Sequence, residues 1–189
     1  MDTMSSEVRP KRFTTDEYDR MGESGILPSE SRFELIRGEI IEMPSPLPPH
    51  SGTVNRLTQA FQLRLAKSAI VSIQNPVHLG AWSAPQPDLC VLRPRPDFYT
   101  RSHPTPEDIF LIIEVSHTTI RYDAEVKAGL YAEAGIAEYW QIDIPSRKVI
   151  VRTGPARGAY RQQAEYGPDP IVVPGAFPEI HFPVAELLG

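Results

Sequence analysis

Ile109-Phe110-Leu111-Ile112-Ile113-Glu114-Val115 is the stretch whose reading sets the rest of the chain. A nearly unbroken apolar run of this length is the pattern of a strand covered on both faces, in the middle of a sheet. One charge ends it. An unpaired carboxylate in a dry setting is costly, so Glu114 must neutralise, pair or find a cation. At a period of two it shares a face with Ile112 and Ser116. The plainer alternative is an acid that caps a neighbouring loop.

Toward the C-terminus, residues 123–134 read as a helix, with Asp123 as N-cap and Gly135 where a left-handed residue closes the last turn. Asp123, Lys127 and Tyr131 recur at a spacing of four and lie along one face of that helix, which carries Lys127 back toward Glu114. The same spacing also describes an ordinary surface ion pair. Toward the N-terminus, Gln86-Pro87-Asp88-Leu89-Cys90-Val91-Leu92 reads as another apolar strand, entered through prolines. Neighbouring strands would bring Asp88 and Glu114 to one sheet edge, and two carboxylates aimed at one point suit a hard divalent cation. Asp88 after a proline also fits a simple turn.

Further out, Thr14-Thr15-Asp16-Glu17 is a capping box for a short helix ended by Gly22 and Gly25. Residues 33–36 and 39–43 form two strands around Arg37-Gly38. From His50 to Ser68, the apolar residues Val54, Leu57, Phe61 and Leu65 mark the longest amphipathic helix. Residues 69–73 and 77–79 are short strand-like runs, and a loop with four prolines spans Pro94 to Pro106. Residues 138–144 and 148–153 form a strand pair around Pro145-Ser146. Residues 160–163 and 171–173 are expected as edge strands, and 184–188 as a terminal helical turn. The whole reads as α/β: a mixed sheet flanked by helices, one domain over residues 13–189 behind a loose tail over 1–12.

With 41% hydrophobic and 23% charged residues, the composition is that of an ordinary globular chain. A net charge of −5 argues against a surface that grips nucleic acid all over, and leaves room for a local basic groove. Cys90 is the single cysteine, which excludes an internal disulfide and a cysteine-based zinc site. With no long apolar segment and no apolar core near the N-terminus, no membrane partner and a cytoplasmic location are expected. His50, at the start of that helix after a proline-rich loop, is a residue type that contacts phosphate or metal, and its plainer reading is a helix-start cap or packing residue. Trp140 reads as core, although Trp82, Trp140 and Tyr139 are all base-stacking types.

Taken in order, Phe33 to Ile40, His50, Pro87-Asp88, Ile113-Glu114-Val115, Tyr122-Asp123 with Lys127 and Tyr131, and Ala134 to Trp140 resemble the Uma-type restriction endonuclease family of the PD-(D/E)XK nuclease superfamily. The resemblance covers most of the chain. It implies a metal-dependent endonuclease that hydrolyses phosphodiester bonds, with nucleic acid, DNA foremost, as partner. By resemblance Asp88 and Glu114 hold Mg2+ (or Mn2+), the Val115 carbonyl adds a ligand, and Lys127 serves the attacking water. The superfamily's lysine slot, two residues after the glutamate, is Ser116 here, and Lys127 on the next helix takes its place. Glu34 matches the family's N-terminal acid, either near metal or in a salt bridge to Arg32 or Lys127. Cutting both strands of a duplex takes two sites, so a homodimer is expected. The rival readings are an inactive nuclease-like interaction module and a hydrolase of small phosphodiesters.

Overall fold

Thr14 caps helix α1 (Thr15–Glu23): its hydroxyl accepts from the Glu17 N–H, and the Glu17 carboxylate accepts from the Thr14 N–H. The computed structural model describes residues 9–189. The expected tail lies outside the described residues up to residue 8, and residues 9–12 run exposed with neither helix nor strand. Strands β1 (Arg32–Ile36) and β2 (Glu39–Met43) form an antiparallel hairpin. Its two turn residues both take the left-handed conformation, Arg37 at φ 50° and Gly38 at φ 83°. Close packing also favours glycine at the second position, because a Cβ on Gly38 would meet the Arg12 Cβ at 2.7 Å.

Helix α2 (Pro48–Leu65) starts two residues before the expected His50, since Pro48 suits a first turn whose N–H groups have no helical partner. It ends at Leu65 rather than Ser68, where Ala66 turns to positive φ. The main sheet follows: β3 (Ile70–Ile73), β4 (Leu89–Leu92), β5 (Ile109–Ser116), β6 (Glu138–Asp143), β7 (Lys148–Ala156) and β8 (Ala159–Tyr166), paired in that order. Every pairing is antiparallel except β5 with β6. That parallel step needs a crossover, supplied by the helical run between them: α3 (Ile120–Tyr122), a π turn (Asp123–Lys127) and α4 (Ala128–Glu133). A second hairpin pairs β9 (Ile171–Val172) with β10 (Phe182–Pro183), ahead of α5 (Val184–Leu188).

Strand alternation sends Leu89, Val91, Leu111, Ile113 and Val115 to a core shared with Val54, Leu57, Phe61 and Leu65 of α2 and with Phe182 and Leu187. The opposite face carries Cys90, Leu92, Ile112 and Tyr139 against Ala128 and Tyr131. Glu114, in phase with Ile112, therefore points to the crossover-helix side.

Three expectations need correction. Residues 77–79 are not a strand: Pro76, Pro85 and Pro87 withhold donors, and the N–H groups of Val77, His78 and Leu79 go to the carbonyls of Pro85, Pro104 and Ser83 without forming a ladder. Asp123 is not an N-cap, since the helical run opens after Thr119 and Asp123 sits buried within it. The strand at 171 pairs with β10 rather than with the edge of the main sheet.

Candidate functional site

Asp88 stands at the entrance of β4, where the antiparallel register sets Leu89 opposite Ile113. One step outward from that pair, Asp88 and Glu114 interlock: the Asp88 N–H donates to Glu114 Oε2 at 3.3 Å, and the Val115 N–H donates to Asp88 Oδ2 at 2.9 Å. Gln74 Nε2 donates to Asp88 Oδ1 at 3.2 Å, and His50 Nε2 donates to Oδ2 at 3.0 Å. His50 is thus held in the site by Asp88, and of its two expected readings the plainer one, a cap or packing residue, does not describe it. Its position on the first turn of α2, directly after a proline-rich loop, was the available signal.

On the other side of Glu114, Lys127 Nζ lies 3.0 Å from Oε1 and Tyr131 donates to the same oxygen at 2.5 Å. Lys127 also reaches both carboxylate oxygens of Glu34, at 2.9 and 2.8 Å. Of the two partners expected for Glu34, Lys127 is the one it meets. Asp123 faces the same space, accepting from the Ser116 and Thr119 hydroxyls at 2.7 Å each. Ser116 in turn accepts from Gln141 at 3.0 Å, so the slot two residues past Glu114 carries a hydroxyl that orients Asp123.

All these charges are buried: Glu34, Asp88, Glu114, Asp123 and Lys127 are each at most 5% exposed. They surround a small cavity of about 50 Å³ roofed by Met43, Pro44, Pro46 and Leu47, with Val115 and His117 on its wall. Burial drives the Glu114 carboxyl well up, and Asp88, Asp123 and Glu34 add to this against Lys127. Burial acts on Asp88 in the same direction, but the bonds from His50, Val115 and Gln74 prevail and hold it below the usual carboxylate range. Burial works against the Lys127 cation, yet Glu114 and Glu34 outweigh it and keep the ammonium charged.

Four carboxylates against one lysine leave a surplus of negative charge around an ion-sized cavity, and this donor set fits a divalent cation. The fit is of a particular kind. Among the described residues, the cleft contains no three His, Cys, Asp or Glu ligand atoms within 4.8 Å of one another. An ion held by one or two carboxylates, with water or phosphate completing its shell, is the habit of magnesium.

Trp140 is fully buried and Trp82 is half exposed on a turn away from the cleft, so neither aromatic belongs to the site. Among the described residues, no helix is long and apolar enough to cross a membrane.

No curated protein matches the chain. Among solved structures, it is similar to the crystal structure of "a putative nuclease belonging to DUF820 from Anabaena variabilis ATCC 29413", with a TM-score of 0.69 and 20% identity over 93% of this chain and 97% of that one. At that identity the likeness bears on the fold, and the mixed sheet with its flanking helices is restriction endonuclease-like. The family model described as "Putative restriction endonuclease" matches residues 15–185, which include every residue of the cleft, and the chain belongs to this family, Uma2.

Proposed function

We propose that the protein is a metal-dependent endonuclease that hydrolyses phosphodiester bonds in DNA. The observation that carries this reading is the buried convergence of Asp88, Glu114 and Lys127 on one cavity. Asp88 and Glu114 are the residues that would hold magnesium, or manganese in its place, and the Val115 carbonyl is a third donor at the same edge. When bound, such an ion supplies a Lewis acid for the phosphate and lowers the pKa of its water.

The chain's own groups do the rest. Lys127, charged and fixed between Glu34 and Glu114, offers an ammonium to the attacking water and to the charge that builds on the phosphoryl oxygens in the transition state. Glu34 acts by holding Lys127, and Tyr131 by holding Glu114. His50 and Gln74 fix the Asp88 carboxylate, as outer partners of metal ligands commonly do. Residues 13–189 act as one domain in this reading, and a homodimer supplies the two centres that duplex cleavage requires.

The test is cleavage of plasmid, linear and single-stranded nucleic acids with magnesium or manganese by the wild type, Glu114→Ala and Lys127→Ala. Loss of a ligand or of the lysine should each lower turnover by about 10²-fold or more. Clean wild-type protein that binds duplex without cutting it would make this an interaction module. Cleavage of a small phosphodiester that duplex DNA fails to inhibit would move the substrate class.

A further inference from the structure

One turn into α1 from the capping box, three side chains from three segments meet. Asp19 comes from α1, His78 from the loop before β4, and His103 from the proline-rich loop. One ligand atom from each lies within 4.8 Å of the others, and His78 Nε2 stands 3.4 Å from Asp19 Oδ2. That nitrogen is buried yet makes no hydrogen bond. The two imidazoles lie with ring centres 4.7 Å apart, tilted 47° to each other.

The backbone holds these segments together independently of the side chains. Thr15 N–H donates to the Ala81 carbonyl at 2.9 Å, which fixes the start of α1 on the His78 loop, and Asp19 follows one turn later. His78 N–H donates to the Pro104 carbonyl at 2.8 Å, which fixes the residue next to His103. Prolines on both loops keep them stiff. The three side chains are therefore presented by a frame already in place.

We propose that Asp19, His78 and His103 form a second metal site, specific for zinc-like cations and separate from the carboxylate cleft. Two imidazoles and a carboxylate are a zinc donor set, and bonds of about 2.0–2.1 Å put tetrahedral ligand atoms about 3.3 Å apart. The His78–Asp19 spacing already matches, and closing on His103 takes small side-chain rotations. The fourth position opens onto a groove of about 820 Å³ lined by Tyr18, Ser29, Gln86, Tyr99 and Arg101, and no residue that lines it also lines the cleft. With zinc bound, the site clamps the proline-rich loop to α1.

The experiment is zinc titration of chelator-stripped protein by calorimetry, with cobalt absorption as a second readout, on wild type, His103→Ala, Asp19→Asn and Glu114→Ala. Melting in chelator first establishes that each variant is folded. His103→Ala and Asp19→Asn should lose one zinc equivalent, with affinity falling more than the roughly 10–100-fold seen on loss of an outer partner, together with the tetrahedral cobalt signal. Glu114→Ala should retain that zinc equivalent and its tetrahedral cobalt signal. Zinc binding unchanged in His103→Ala and Asp19→Asn, or abolished in Glu114→Ala, overturns the site.

Discussion

Lys127 is where charge and geometry bear hardest on a single residue. Its ammonium meets Glu34 and Glu114 and is 1% exposed, so truncation strands two carboxylates in a dry site. Removing one partner of a buried ion pair costs about 3–5 kcal/mol, so Lys127→Ala should lose stability as well as turnover. Added magnesium should restore much of the stability and none of the turnover. Glu138, away from the cleft, gives a cleaner pH effect. It accepts from Trp140 Nε1 at 2.6 Å and from the Gly175 N–H at 2.7 Å, yet burial pushes its carboxyl above the ordinary value. The folded chain thus binds this proton more tightly than the unfolded one. The contribution is complete below the unfolded pKa and is lost as pH rises through the folded one. The unfolding free energy of wild type relative to Glu138→Gln should therefore be greatest in acid and shrink toward neutral pH, and a flat difference would refute it. At this scale the sequence was informative where a charge interrupted an apolar pattern, as at Glu114. It was not where a polar residue sat in a polar setting: Gln74 enters the site only through the fold.

Among the elements, β5 and α2 were the most legible, because both carry long uninterrupted patterns. The four apolar residues spaced along α2 are all buried, and Phe61 stacks on Phe182 at 4.2 Å and meets Trp140 edge-on at 5.9 Å. Deleting that ring leaves a cavity that three elements border, and Phe61→Ala should cost about 3–5 kcal/mol in chemical denaturation. A cost under 1 kcal/mol would mean that the helix is held by something else. The π turn in the crossover was illegible, since its cause is remote. The Ala128 N–H reaches back five residues to the Asp123 carbonyl, which also accepts from the Tyr139 hydroxyl on β6 at 3.1 Å. The failed strand at 77–79 has the opposite lesson: its residues suit a strand, but the segment facing it is built of prolines that cannot complete a ladder.

The whole molecule stores its charge unevenly. Glu34, Asp88, Glu114 and Asp123 are all buried around one cavity, and a divalent ion there relieves a repulsion that the fold otherwise carries. At magnesium about tenfold over its dissociation constant, mass action adds about 1.4 kcal/mol. For a chain of this size that is a melting-temperature rise of roughly 3–6 °C, to be measured against sodium chloride at matched ionic strength. Glu114→Ala should abolish the rise. The order of elements was readable only in part: β6, β7 and β8 follow as hairpins, whereas β3, β4, β5 and β6 pair across long connections and include the single parallel step between β5 and β6.

The Glu34–Lys127 pair joins residues 93 positions apart. Closing so long a loop is an entropic cost that must be met before the contact rewards it, so this pairing waits on the docking of the crossover helix. A chain still leaving the ribosome carries Glu34 and Asp88 long before it carries Lys127 and the β6 strand behind it. The cleft therefore has a built-in delay: its charges come into register only when most of the chain has been made.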